Sequence, residues 1–152
     1  MMDQKQQEQS KRYLETQVKT ATREQLLILL FDGALRFCSL AKDAMAQNDV
    51  EAMSNHLIRA QRIVVELMSS LDRRVGDAVY SNLIQLYKFT YLRLVNANVE
   101  RDAAAIDEAT GILEHLKETW QQAIEKMLSD GKKRIDLAPH HLGESRGLDV
   151  SG

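Results

Sequence analysis

Leu26, Leu27, Ile28, Leu29, Leu30 and Phe31 are six apolar residues in succession. At about 3.6 residues per turn, such a run faces every direction around a helix. A helix on the outside of a small protein needs only one apolar stripe. This run therefore requires cover on several sides, and one of those covers need not belong to the folded core.

The helical assignment of the run rests on its flanks. Thr22 with Gln25 three residues later forms a capping-box pattern, and Glu24 falls in the first turn, where a negative charge suits the helix dipole. A core seam follows at steps of three and four: Leu27, Leu30, Ala34, Phe37, Ala41 and Ala44. A second helix begins at Asn48 or Asp49, carries Leu57, Ala60, Val64, Leu67 and Leu71, and closes before Gly76. A third, capped by Asp77, carries Val79, Leu83, Leu86, Thr90, Leu94 and Ala97 and ends near Glu100. A fourth, capped by Asp102, carries Ile106, Ala109, Leu113, Leu116, Trp120, Ala123 and Met127 up to Gly131. Gly111 inside it weakens the helix and suggests a close helix contact.

Short loops join neighbours, so the expected fold is all-α, an antiparallel up-down four-helix bundle over residues 22–131. Residues 1–21 are expected to form a flexible N-terminal segment, with a weakly amphipathic patch at Tyr13, Leu14 and Val18. Residues 132–152 are expected to be a disordered tail.

Much chemistry is missing. The 152 residues carry a net charge of −2, which disfavours nucleic-acid binding. Cys38 is the one cysteine, so an intrachain disulfide and a cysteine-rich zinc site are excluded, and it is expected to pack beside Phe37. No apolar run approaches the roughly 18–20 residues of a membrane span, and the N-terminus lacks a signal-peptide pattern, so the cytoplasm is the expected compartment. A di-iron bundle needs Glu-x-x-His, but Met53 precedes His56 and Ile112 precedes His115 by three. No zinc, phosphate-loop or nucleophile motif occurs, so neither an enzyme nor a cofactor is expected.

What the sequence has in excess is apolar surface. Beside the seams run further stripes: Leu26, Leu29 and Phe31 on the first helix, Ile58, Val65 and Met68 on the second, and Tyr80, Ile84, Tyr87, Tyr91 and Val95 on the third. They either broaden the core or line grooves for an amphipathic partner. Asp32 is either solvated or paired with a cation. Gly33 admits either a neighbouring helix or a cargo backbone. Asn55, Gln61, Asn82 and Asn98 flank the stripes and either bond an extended cargo or bridge helices.

The order of several motifs resembles a known family. Tyr13, Gln17, Thr20–Ala21–Thr22 and Leu30–Phe31–Asp32–Gly33–Ala34 are similar to the opening of the flagellin-specific export chaperones, the FliS family. Asn55, Ile58, Ala60–Gln61, Ile63, Glu66–Leu67 and Ser70–Leu71–Asp72 resemble its second helix. Gly76, Asn82–Leu83, Leu86–Tyr87, Arg93–Leu94 and Ala97–Asn98 resemble its third. The likeness covers about Tyr13 to Trp120. Arg23 stands where the family often has proline, and Phe31 where it usually has tyrosine.

The resemblance implies a non-enzymatic cytoplasmic chaperone that binds the disordered C-terminal segment of flagellin, blocks premature filament assembly and delivers it to the flagellar type III export gate. It also implies that the N-terminal segment occupies part of the flagellin site when that site is empty. The expected flagellin-contacting residues are Tyr13, Gln17, Leu26, Leu29, Phe31, Asp32, Gly33, Asn55, Ile58, Gln61, Val65, Tyr80, Ile84, Tyr87, Tyr91, Val95 and Asn98. The rival expectation is a structural bundle that homodimerises through its extra stripes. Neither reading calls for nucleic acid, stable membrane insertion or a cofactor.

Overall fold

The computed structural model describes residues 4–130, and it is all-α. The helices are α1 (Gln4–Thr20), α2 (Arg23–Ala46), α3 (Val50–Ser69), α4 (Asp77–Glu100) and α5 (Ala103–Ser129), with one 3-10 turn at Arg73–Val75. Helices α2 to α5 pack antiparallel, each against the next, and α5 closes the ring on α2. The expected tail, 132–152, lies outside the described residues, as does Gly131.

Local chemistry sets most helix starts. The Thr22 hydroxyl accepts from the Gln25 amide at 3.1 Å, and the Gln25 side chain accepts from the Thr22 amide at 2.9 Å, which completes the capping box. Asp49 accepts from the Ala52 amide and Asp102 from the Ala104 amide, opening α3 and α5. Asp77 is not the cap of α4 but its first residue. The cap position is Gly76, at φ 107°, a left-handed backbone that favours glycine over any side chain.

The N-terminal segment is helical over most of its length. Residues 4–20 form α1 although none of them is buried. Gln, Lys, Glu and Leu are good helix formers, and helix propensity alone does not require an apolar face.

Two seams differ in rotation from the expected pattern. On α2 the fully buried positions include Phe31 and Cys38, while Leu30 and Phe37 are only half-buried. On α4 the buried residues are Tyr87, Thr90, Leu94 and Ala97. Val79 and Leu86 are exposed, and Leu83 is half-buried. An aromatic interlock accounts for both rotations. Phe31 and Tyr87 have ring centroids 6.5 Å apart, and the Trp120 indole N–H donates to the Tyr87 hydroxyl at 3.3 Å. These three large side chains tie α2, α4 and α5 together and select which of two adjacent apolar stripes turns inward. Buried Thr90 is satisfied by donating to the Leu86 carbonyl one turn back, at 2.8 Å. The α3 and α5 seams largely follow the expected positions, with Met53 and Ala105 added and Leu71 and Ala123 half-buried.

The two helical glycines differ. A Cβ on Gly33 would lie 3.2 Å from Ile63 Cδ1, so Gly33 lets α3 approach α2 closely. A Cβ on exposed Gly111 would meet nothing within 4 Å, so no helix contact requires glycine there. Gly111→Ala is expected to stabilise the protein by about 0.5–1 kcal/mol, seen as a rise of a few degrees in Tm. An unchanged or lower Tm would contradict this reading.

Candidate binding grooves

Two grooves border the apolar stripes. The larger has a volume of about 690 Å³ and runs between α2 and α3 beneath the C-terminal half of α1. Its walls are Leu26, Leu29, Leu30, Gly33, Arg36 and Phe37 of α2, Ile63 and Glu66 of α3, and Leu14 and Val18 of α1, with Asp32 at its edge. Leu14 and Val18 are one helical turn apart on one face of α1. They remain 45% and 46% exposed, so α1 covers the groove without being buried by it. The smaller groove, about 290 Å³, lies between α3 and α4 and is lined by Ile58, Gln61, Arg62, Val65 and Tyr91. A third depression, about 490 Å³, sits where α1 crosses toward α5. It is lined mainly by polar residues, among them Gln17, Glu24, Gln25, Gln121 and Glu125.

The sequence-derived residues divide among these places. Leu26, Leu29, Asp32 and Gly33 meet at the larger groove, and Gln17 lines the third depression together with Leu29 and Asp32. Ile58, Gln61, Val65 and Tyr91 meet at the smaller groove. Asp32 is paired with Lys117 of α5 at 2.6 Å. Tyr13 is 68% exposed and lines none of these grooves. Asn55 is exposed on α3 outside the grooves, and Ile84 and Val95 are half-buried on α4. Tyr80 lies under the Arg73 guanidinium, whose Cζ is 4.4 Å from the ring centroid. The Asn98 amide donates to Ser54 Oγ at 3.2 Å and so bridges α4 to α3.

Phe31 and Tyr87 correct the expected surplus stripes. They are 0% and 1% exposed and belong to the core, so in this conformation neither presents a surface. Conversely, Leu30, Arg36, Phe37 and Ile63 line the larger groove but were absent from the expected set. Their apolar members carried a seam or motif signal. Nothing in the sequence pattern marked Arg36.

Burial leaves a pH signature in the core beneath the grooves. It pushes the Tyr87 phenol from 10.0 up to about 12, opposed in part by the Trp120 hydrogen bond. It pushes the Cys38 thiol from 9.0 up to about 11, opposed in part by Thr110. Both groups are neutral when folded and ionise more readily when unfolded. Their stabilising contribution is complete below the unfolded values and is lost as pH rises toward the folded ones. Tm should therefore begin to fall above about pH 9 and fall most steeply at about pH 10–11, where the two windows overlap. Thermal melts followed by Trp120 fluorescence check this. A flat profile to about pH 11 would contradict it.

Comparison with known proteins fits this geometry. The family described as "Flagellar protein FliS" matches residues 5–127. The flagellar secretion chaperone FliS of Bacillus subtilis is 33% identical over 118 residues, covering 78% of this chain and 87% of that protein. Its counterpart in Salmonella typhimurium is 36% identical over 110 residues, covering 72% of this chain and 82% of that protein. That of Escherichia coli is 30% identical over 112 residues, covering 73% and 82%. The match spans all the helices that build the larger groove, and the chain belongs to the FliS family of flagellar secretion chaperones, a non-enzymatic family.

Proposed function

We propose that this chain is a cytoplasmic export chaperone that binds the disordered C-terminal segment of flagellin, prevents its premature polymerisation and delivers it to the flagellar type III export gate. The observation that carries this reading is the larger groove, an apolar trough whose cover, α1, has no buried residue. Flagellin termini that pair with one another in a filament need substitute apolar partners while they are held apart. Each large apolar side chain covered contributes roughly 1.5–3 kcal/mol, so a long interface binds without ATP. The ordering entropy of the disordered segment offsets part of that gain, which keeps the cargo releasable. Among the described residues no helix is long and apolar enough to cross a membrane.

The test is co-elution with monomeric flagellin, intact and lacking its C-terminal segment. The intact protein should bind and the truncated one should not. Failure of the intact protein to bind overturns the reading. Exposed Phe89, Leu92 and Val99 on α4 give the rival, self-association, a specific surface. Light scattering on the same samples separates the two, because a stable dimer unchanged by flagellin favours the rival.

A further inference from the structure

The larger groove changes character along its length. Toward the α2 N-terminus its walls are Leu26, Leu29 and Leu30, and Ile63 stands against Gly33. Farther along lies Phe37, with the Arg36 guanidinium 4.6 Å from the ring centroid and that of Arg59, from α3, at 5.6 Å. The His56 ring stacks on the same phenyl at 6.0 Å, and its buried Nδ1 has no hydrogen-bond partner. Two cations from different helices thus border one aromatic ring, Arg36 in the groove wall and Arg59 beside it.

Among the described residues neither Arg36 nor Arg59 is paired with a carboxylate. Three other cations that reach a neighbouring helix do meet a carboxylate: Lys42 meets Asp107, Arg93 meets Glu108 and Lys117 meets Asp32. The nearest groove carboxylates are already engaged, Asp32 with Lys117 and Glu66 in a contact of its own. Guanidinium groups held by a ring present planar forks suited to a carboxylate.

We propose that this end of the groove is a carboxylate-binding subsite for the cargo, so that the groove selects an amphipathic helix with an acidic group beyond its apolar face. The proposal rests on the flagellin reading and adds the chemistry that orients the cargo. Helix geometry fixes the spacing. From Leu29 to Arg36 is about 10 Å along α2, or two turns. The cargo must therefore carry its carboxylate about two turns from the side chain seated on Leu29. Either an Asp or Glu side chain or the chain-terminal carboxylate meets that requirement.

The experiment is a calorimetric titration of the full chain and of an Arg36→Gln/Arg59→Gln variant with a synthetic flagellin C-terminal peptide, at low and high salt. Both arginines are exposed, and Trp120 fluorescence verifies the fold of the variant. The unmodified chain should bind more weakly as salt rises. The variant should lose about tenfold or more in affinity, together with most of the salt response. A C-terminally amidated peptide and one with its acidic residues changed to amides identify which carboxylate is bound, since only the responsible change should equalise the two proteins. Equal affinity and equal salt response for variant and unmodified chain would overturn the proposal while leaving the flagellin reading intact. No binding by the unmodified chain would overturn both.

Discussion

Phe31→Ala will lower the unfolding free energy by about 3–5 kcal/mol, a large fraction of the 5–15 kcal/mol typical of a domain. The side chain is fully buried, its ring faces Tyr87, and Tyr87 in turn accepts from Trp120. Truncation leaves a cavity at the point where α2, α4 and α5 meet, and the surrounding aromatics are too large to refill it without leaving their rotamers. Urea unfolding followed by the fluorescence of Trp120, the chain's one tryptophan, reads this directly. Leu29→Ala, two positions earlier but facing the groove, should cost less than about 1 kcal/mol because its side chain already meets solvent. Equal losses for the two would show that the run from Leu26 to Phe31 is not divided between core and groove. A loss below about 1 kcal/mol for Phe31→Ala would remove it from the core.

That division marks the limit of what the sequence could say. Helix starts at Thr22 and Asp102, and that of α3 to within Asn48 or Asp49, were legible because a cap is made by residues within three positions of one another. The α3 seam was legible because Leu57, Ala60, Val64 and Leu67 form an unbroken stripe, whereas the one beside it, Ile58, Val65 and Met68, is interrupted at Gln61 and Arg62. On α2 and α4 two apolar stripes lie side by side, and periodicity alone does not choose between them. The choice is made by the contact of Phe31, Tyr87 and Trp120, which are far apart in the chain. The same holds for the groove. Leu26 and Leu29 were visible as surplus, whereas the meeting of Arg36 and Arg59 on Phe37 depends on how α2 sits against α3. Gly33 belongs to that packing too, since its missing Cβ makes room for Ile63.

Removing residues 1–18 is expected to strengthen binding of the flagellin C-terminal segment, by as much as about 30-fold. Helix α1 touches the larger groove through Leu14 and Val18, each about half covered. Half the burial of a Leu or Val side chain is worth roughly 1 kcal/mol, and about 1.4 kcal/mol is a factor of ten in affinity. The cover therefore costs the cargo about 2 kcal/mol at most, through the fraction of molecules in which the groove is open. The fold should survive the deletion. No residue of α1 is buried, and the Thr22–Gln25 capping box that starts α2 lies downstream of the cut. A Leu14→Ser/Val18→Ser variant should reproduce most of the gain, because it removes the apolar contacts without shortening the chain. Calorimetry with the same peptide decides the matter. Weaker binding by the shortened chain would mean that α1 contributes contacts to the loaded state, making it a wall of the site rather than a competitor for it.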